Sequence, residues 1–289
     1  MKLRKRMEFA AFVAPLLIFY GTFFIVPLGL GTMYAFTDWN GLHPEFNFVG
    51  VANFTKMLRD DRFLHTLRFT FSYTFLYCAL VNVLGMALAL FFNRKLRGTG
   101  LYRSMVFLPN VLNLVTIGFV WQFILGRLVK AAYDGTGWAV FEISFLGDPD
   151  WVLFSVVLVR LWQSAGYFMV IYLAGLQAIS KSIEDAATVD GAIGWTRFRS
   201  VTLPLLMPAV TASVFISLIN GLRIFPILMT LTEGGPGYAS ESISLNIYAT
   251  AFRMNQFGYG SAKAVVFTVF ILAVSAIQLF VFKRREVSL

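Results

Sequence analysis

Six stretches of this chain run for 19 to 29 residues without a charged side chain: Phe9–Thr37, Phe69–Asn93, Ser104–Gly126, Leu161–Ser180, Ser200–Leu222 and Ala264–Phe282. A helix rising 1.5 Å per residue needs about 20 residues to cross roughly 30 Å of hydrocarbon, so each stretch can span a bilayer. Extending the fourth back to Trp151 and the fifth on to Leu231 gives spans at about 9–36, 69–93, 104–126, 151–178, 205–231 and 264–282. The fold expected is an all-α polytopic membrane protein with six transmembrane helices, in one transmembrane domain over 1–289. Only 13% of the residues are charged, against about a quarter in soluble domains, which excludes a soluble globular enzyme. The first run exceeds the 7–15 residues of a signal-peptide core and is followed by no small-residue cleavage site, so it reads as a retained helix.

The net charge of +9 is distributed unevenly. The N-terminus, the loops 93–103 and 181–199 and the tail 283–289 together hold 14 Lys/Arg against 5 Asp/Glu; the segments 38–68, 127–150 and 232–263 hold 8 against 10. The positive-inside rule therefore places both termini and the turn Arg94, Lys95, Arg97 of this multi-pass chain in the cytoplasm. Anchoring near anionic headgroups accounts for the basic residues, and no nucleic-acid partner is expected.

Several chemistries are missing from the sequence. No glycine is followed by lysine, so there is no G-x-x-x-x-G-K-[ST] loop to cradle nucleotide phosphates. His43, His65 and Cys78 lie in no metal-ligand spacing, and no metal site is expected. No acidic residue falls in the six spans, which disfavours a proton-relay carrier.

Between the fourth and fifth spans, the loop at about 181–204 reads as two short helices broken at a glycine. Ser182 and Asp185 are spaced as a capping box, Ala186 and Ala187 have minimal bulk, Gly191 permits a turn and a close approach, and Pro204 suits the start of the next span. From residue types alone this is either a knob for a partner or a helix pair lying on the headgroups. The spacing is more specific. The pattern [ED]-A-A-x3-G-x9-[IV]-x-L-P is met by Asp185, Ala186, Ala187, Gly191, Val201, Leu203 and Pro204, and it resembles the EAA loop in membrane subunits of binding-protein-dependent ABC importers, with Asp185 in place of the usual Glu.

Further segments resemble the carbohydrate-uptake branch, in particular the first permease subunit of the maltose and glycerol-phosphate importer type. They are Phe36-Thr37-Asp38-Trp39, Phe48 to Phe54, Arg103 with Leu108-Pro109 and Trp121, Ala174-Gly175-Leu176-Gln177, and Leu231 to Pro236 with Tyr248 and Phe252; Ser180 stands where that branch usually has proline. The resemblance implies a type I ABC importer permease fold and a non-catalytic subunit, multi-pass in the cell (inner) membrane of a prokaryote. Its implied partners are a second permease in a heterodimer, two ATPase subunits and an extracytoplasmic solute-binding protein delivering a saccharide. It implies no cofactor in this chain, ATP and magnesium belonging to the ATPase, which would receive the loop carrying Asp185, Ala186, Ala187, Gly191, Leu203 and Pro204. The alternative, a self-contained secondary sugar carrier or channel, would need neither that loop nor those partners.

The spans also hold polar residues. At 100° per residue Arg160, Gln163, Ser164 and Tyr167 share one face of the fourth helix, and the fifth offers Asn220 and Arg223. The resemblance places substrate against these two regions. Because the spans contain no acid to neutralise Arg160, either a partner supplies one or the cargo brings the negative charge.

Overall fold

The computed structural model describes residues 2–94 and 97–283. Lys95 and the tail 284–289, both read above as cytoplasmic anchors, lie outside the described residues. The elements in chain order are α1 (Lys2–Tyr20), continued through a π turn at Gly21–Ile25 into α2 (Val26–Tyr34), then α3 (Ala52–Met57), α4 (Asp61–Phe92), α5 (Thr99–Phe107) and α6 (Leu114–Phe123). A second π turn at Ile124–Leu128 joins α6 to α7 (Val129–Thr136). There follow α8 (Pro149–Ala178), α9 (Lys181–Val189), α10 (Gly194–Arg197), α11 (Leu203–Leu205), α12 (Met207–Leu222), α13 (Pro226–Leu231), α14 (Ile243–Tyr248) and α15 (Phe257–Lys283). Among the described residues the extended backbone pairs only in an isolated bridge, Thr37 to Phe48.

Five helices are long and apolar enough to cross a membrane, and a sixth span comes from α12 with the helical segment before it, Gly194–Leu205, bent from it by 71°. Four expected boundaries need correction. The third uncharged run is not one helix: Pro109 sits in a 3-10 turn, Leu112 is extended, and Asn113 starts a new helix by accepting the Val115 N–H on Oδ1 at 2.8 Å. The span is therefore Leu114–Thr136, while α5 turns Arg103 back to donate to the Phe92 carbonyl at the C-terminus of α4, where a cation is favoured. The fifth span, bent at Leu206, stops at Leu222 instead of running on to Leu231. Pro226 lacks an N–H and disfavours helical backbone at Phe225, so the chain breaks there and restarts as α13. Ser242 donates to the freed Ile224 carbonyl at 2.7 Å. The second span starts at Asp61, and the sixth starts at Phe257, which brings Lys263 inside the helix.

The chain forms two compact units, Met1–Asp61 with Asn246–Val269, and Arg62–Leu245 with Phe270–Leu289. In the first, Asn53 Nδ2 donates to the Ala35 and Thr37 carbonyls at 2.9 and 2.8 Å, and Trp39 packs between Tyr34 and Phe257. The Asn47 backbone and side-chain N–H groups hold the Asp38 carboxyl below its usual range. Lys263, 2% exposed, donates to Asp60 Oδ2 at 3.0 Å, Asn246 Oδ1 at 2.7 Å and Thr250 Oγ1 at 3.2 Å. Much of the first span is apolar and exposed, as at Phe12, Leu17 and Phe23, a surface suited to lipid or another subunit.

In the second unit α8 is central, the most buried of the long apolar helices. Tyr172, Met169 and Leu173 of α8 pack with Ala89 and Phe92 of α4 and with Leu206. Association within lipid relies on close packing, and small residues permit it. A Cβ at Gly166 would run into the Val106 carbonyl and the Phe107 backbone, so α8 can lie against the end of α5 only with glycine there.

Candidate functional site

Two regions of the second unit hold the residues singled out by sequence. The first is the loop at one end of α8. Helix α9 begins from Ser180 in extended conformation, so Ser182 lies inside its first turn and the expected Ser182–Asp185 capping box is not formed; Ser180 Oγ meets Ser182 Oγ at 3.0 Å instead. The helix ends in a Schellman motif: Gly191 N–H donates to the Thr188 carbonyl at 3.1 Å and Ala192 N–H to the Ala187 carbonyl at 2.8 Å. That motif needs left-handed backbone at Gly191, whose φ is +78°. Ala187 is buried, while Asp185, Ala186 and Gly191 face outward. Beside them Val189, Ile193 and Trp195 are 87%, 70% and 73% exposed, an apolar knob around a bare backbone turn.

Leu203 and Pro204 are half-buried in α11, on the loop side of the 71° bend. Pro204 thus stands just before the bend, and Pro208 lies in the first turn of α12 beyond it. A cleft of about 620 Å³ lies between the loop and the ends of α4 and α8, with Leu90, Arg94, Leu176, Trp195 and Arg197 among its walls.

The second region lies deep in the helices. Arg160, Asn220 and Arg223 line one cavity of about 210 Å³ with Leu114, Ile224 and Phe225. Helix α8 delivers Arg160; the break after Leu222 delivers the other two, with Arg223 as the C-cap of α12, a favourable place for a cation. Gln163, Ser164 and Tyr167 do not line this cavity. Gln163 Oε1 accepts from Arg160 Nη1 at 2.5 Å while its amide donates to Asn110 Oδ1 at 3.3 Å. Ser164 donates to the Arg160 carbonyl at 2.6 Å and accepts from Tyr77 OH at 3.0 Å. Tyr167 is half-buried edge-on to Phe168.

Sequence reasoning missed three members of this network. Tyr73 and Tyr77 stack in parallel on α4 with centroids 5.7 Å apart, and the Arg160 guanidinium lies 5.5 Å from the Tyr77 ring centroid. Their i, i+4 spacing inside an uncharged run was the available signal. Asn110, next to Pro109, gave none, because its role depends on the helix break. One turn further along, Asn82 Nδ2 donates to Ser217 Oγ at 2.8 Å and Asn82 Oδ1 accepts from Tyr172 OH at 2.6 Å, tying α4, α8 and α12 together.

An exposed apolar knob, a polar cavity and five apolar spans with a bent sixth characterise the described residues. Residues 81–287 match the family model described as the binding-protein-dependent transport system inner membrane component. The chain belongs to this family. It is a multi-pass permease subunit, and it is 36% identical over 280 residues to the probable starch degradation products transport system permease protein AmyD of Thermoanaerobacterium thermosulfurigenes, covering 96% of this chain and 94% of that one. The multiple sugar-binding transport system permease protein MsmF of Streptococcus mutans is 33% identical over 94% of this permease and 93% of its own length. In fold, the permease is similar to a chain of a bacterial ABC transporter involved in the import of the acidic polysaccharide alginate, with a TM-score of 0.84, 20% identity and coverage of 98% and 99%. That likeness establishes the type I importer fold.

Proposed function

We propose that this permease lines half of the pathway of an ATP-driven importer for a saccharide, paired with a second, different permease and served by an extracytoplasmic binding protein. The observation that carries the reading is the knob at Val189, Gly191, Ile193 and Trp195. Exposed apolar residues of this size around a bare turn mark a protein contact, and this one sits in the loop that matches the ATPase-docking pattern. The saccharide class rests on the permeases of starch-product and multiple-sugar systems that this chain resembles along nearly its whole length.

In this reading Asp185, Ala186, Ala187, Gly191, Leu203 and Pro204 form the part held by an ATPase subunit, one copy of which grips each permease, with ATP and magnesium bound there and not on this chain. Closure of the ATPase pair draws the two loops together. Because α9, α10 and α11 lead through the bend at Leu206 directly into α12, that movement is passed to the helix carrying Asn220 and Arg223.

The complete assembly, reconstituted in vesicles, should take up saccharide only with ATP and the binding protein present. Uptake by this chain alone, driven by an ion gradient, would overturn the proposal. Orientation has its own test in a Cys78→Ser background. A cysteine at Val189 should react with an impermeant maleimide only after the cytoplasmic face is opened, and one at Tyr238, exposed in the segment after the fifth span, should react in intact spheroplasts. The reverse pattern would place the termini outside.

A further inference from the structure

The walls of the 210 Å³ cavity hold two cationic side chains and one amide, and no carboxylate. Arg160 is 6% exposed. Of its donors Nη1 is taken by Gln163, and the guanidinium faces the hydroxyls of Tyr73 and Tyr77 on the facing helix, neutral groups that leave its charge unmatched and Nε without a well-formed hydrogen bond. Neither the ion pair of Arg62 with Glu241 nor that of Lys263 with Asp60 includes Arg160.

An arginine buried at membrane depth costs about 2.5–3.5 kcal/mol even on insertion scales, and a buried polar atom left without a partner adds to the penalty. A neutral sugar hydroxyl would satisfy a donor but leave the charge uncompensated. A carboxylate, sulfate or phosphate oxygen would satisfy both, through charge-assisted hydrogen bonds that are shorter and about twice as strong. Arg223, on the exposed rim, adds a second positive charge that draws an anion inward. The cavity is smaller than the roughly 300 Å³ at which pockets enclose a whole drug-sized ligand, so it suits one charged group on one sugar ring.

We infer that the cargo is an acidic saccharide, a uronate or a sugar phosphate or sulfate, whose anionic group is received by the Arg160 guanidinium with Arg223 at the cavity rim. This rests on the saccharide-importer reading above. The competing source of the negative charge is an acidic side chain of the second permease, and the experiment separates the two.

The assembled complex in vesicles is given, in turn, oligouronates, hexose phosphates and neutral gluco-oligosaccharides, and both uptake and saccharide-stimulated ATP hydrolysis are measured for wild type, Arg160→Gln and Arg160→Lys. One acidic class should drive uptake, Arg160→Gln should raise its half-saturating concentration at least tenfold, and Arg160→Lys, which keeps the charge but not the fork, should fall between. Co-purification of all subunits with each variant establishes assembly. If Arg160→Gln fails to assemble, the Arg160→Lys series across raised salt decides: a weakened response to the acidic class supports the inference, and an unchanged one overturns it. Uptake of a neutral saccharide by wild type and Arg160→Gln alike overturns the inference and leaves the importer reading standing, as does unchanged half-saturation for an acidic one, which assigns the counter-charge to the second permease. Transport of no saccharide of either kind overturns the importer reading itself.

Discussion

Gly191→Trp should abolish saccharide uptake and its stimulation of ATP hydrolysis while leaving the permease inserted and paired with its partner permease. Two effects act at this position and must be separated. The φ of +78° strains any residue with a Cβ, by about 1–2 kcal/mol, and loosens the end of α9. Bulk is the second effect, and this chain leaves room where the side chain would begin, because Gly191 faces outward and a Cβ there meets nothing within 4 Å. A loss that grows with volume beyond the strain shared by every residue with a Cβ is therefore expected against another molecule. Gly191→Asn carries a residue tolerated in left-handed backbone and should keep at least half of wild-type uptake; Gly191→Ala adds strain with little bulk and should lie between. If all three fail equally, the glycine terminates a helix and does no more. Normal uptake by Gly191→Trp removes the docking role for this turn.

What could be read from the residues, and what could not, follows from the kind of information each feature carries. Length and charge locate apolar helices, so α4 and α8 lie where their runs predict, with α4 longer at its start because Arg62 and Arg68 ride on the same helix. Hydropathy does not register backbone geometry. The run Ser104–Gly126 is as apolar as its neighbours, yet Pro109 and Asn113 divide it, and the one resulting span takes in Arg127 and Lys130 at its end. Gly191 was legible because a left-handed helix stop is a local demand. The meeting of Arg160 with Asn220 and Arg223 was half legible: the resemblance names both regions, but only the break at Phe225 turns Arg223 onto the same cavity. Gln163 and Ser164 share a helical face with Arg160, as the spacing predicts, and their partners Asn110 and Tyr77 come from segments 53 and 87 residues away, which no spacing rule reaches.

Lys263 shows the same limit with the largest consequence for stability. As a charge it ended the sixth uncharged run at Ala264, yet it lies two turns inside α15, joined to Asp60 from 203 residues away. A buried ion pair broken by removing one partner costs about 3–5 kcal/mol, because the remaining charge stays out of water. The two partners here are not equivalent, since the Lys263 side chain is 2% exposed and that of Asp60 22%. Asp60→Asn takes the carboxylate from the wholly buried ammonium and should lower unfolding free energy by about 3 kcal/mol, near the bottom of that range because water reaches the Asp60 side. Lys263→Gln leaves a carboxylate that can hydrate and keeps its hydrogen bond from Tyr259 OH, at 2.7 Å, so it should cost less. Combining the two removes both charges and retains polar atoms facing Asn246 and Thr250. The double variant should then be more stable than Asp60→Asn alone, a non-additivity that a double-mutant cycle reads directly from denaturant unfolding of the purified complex in detergent. Simple addition of the two losses would mean that the lysine is held by its amide and hydroxyl partners and not by the charge on Asp60.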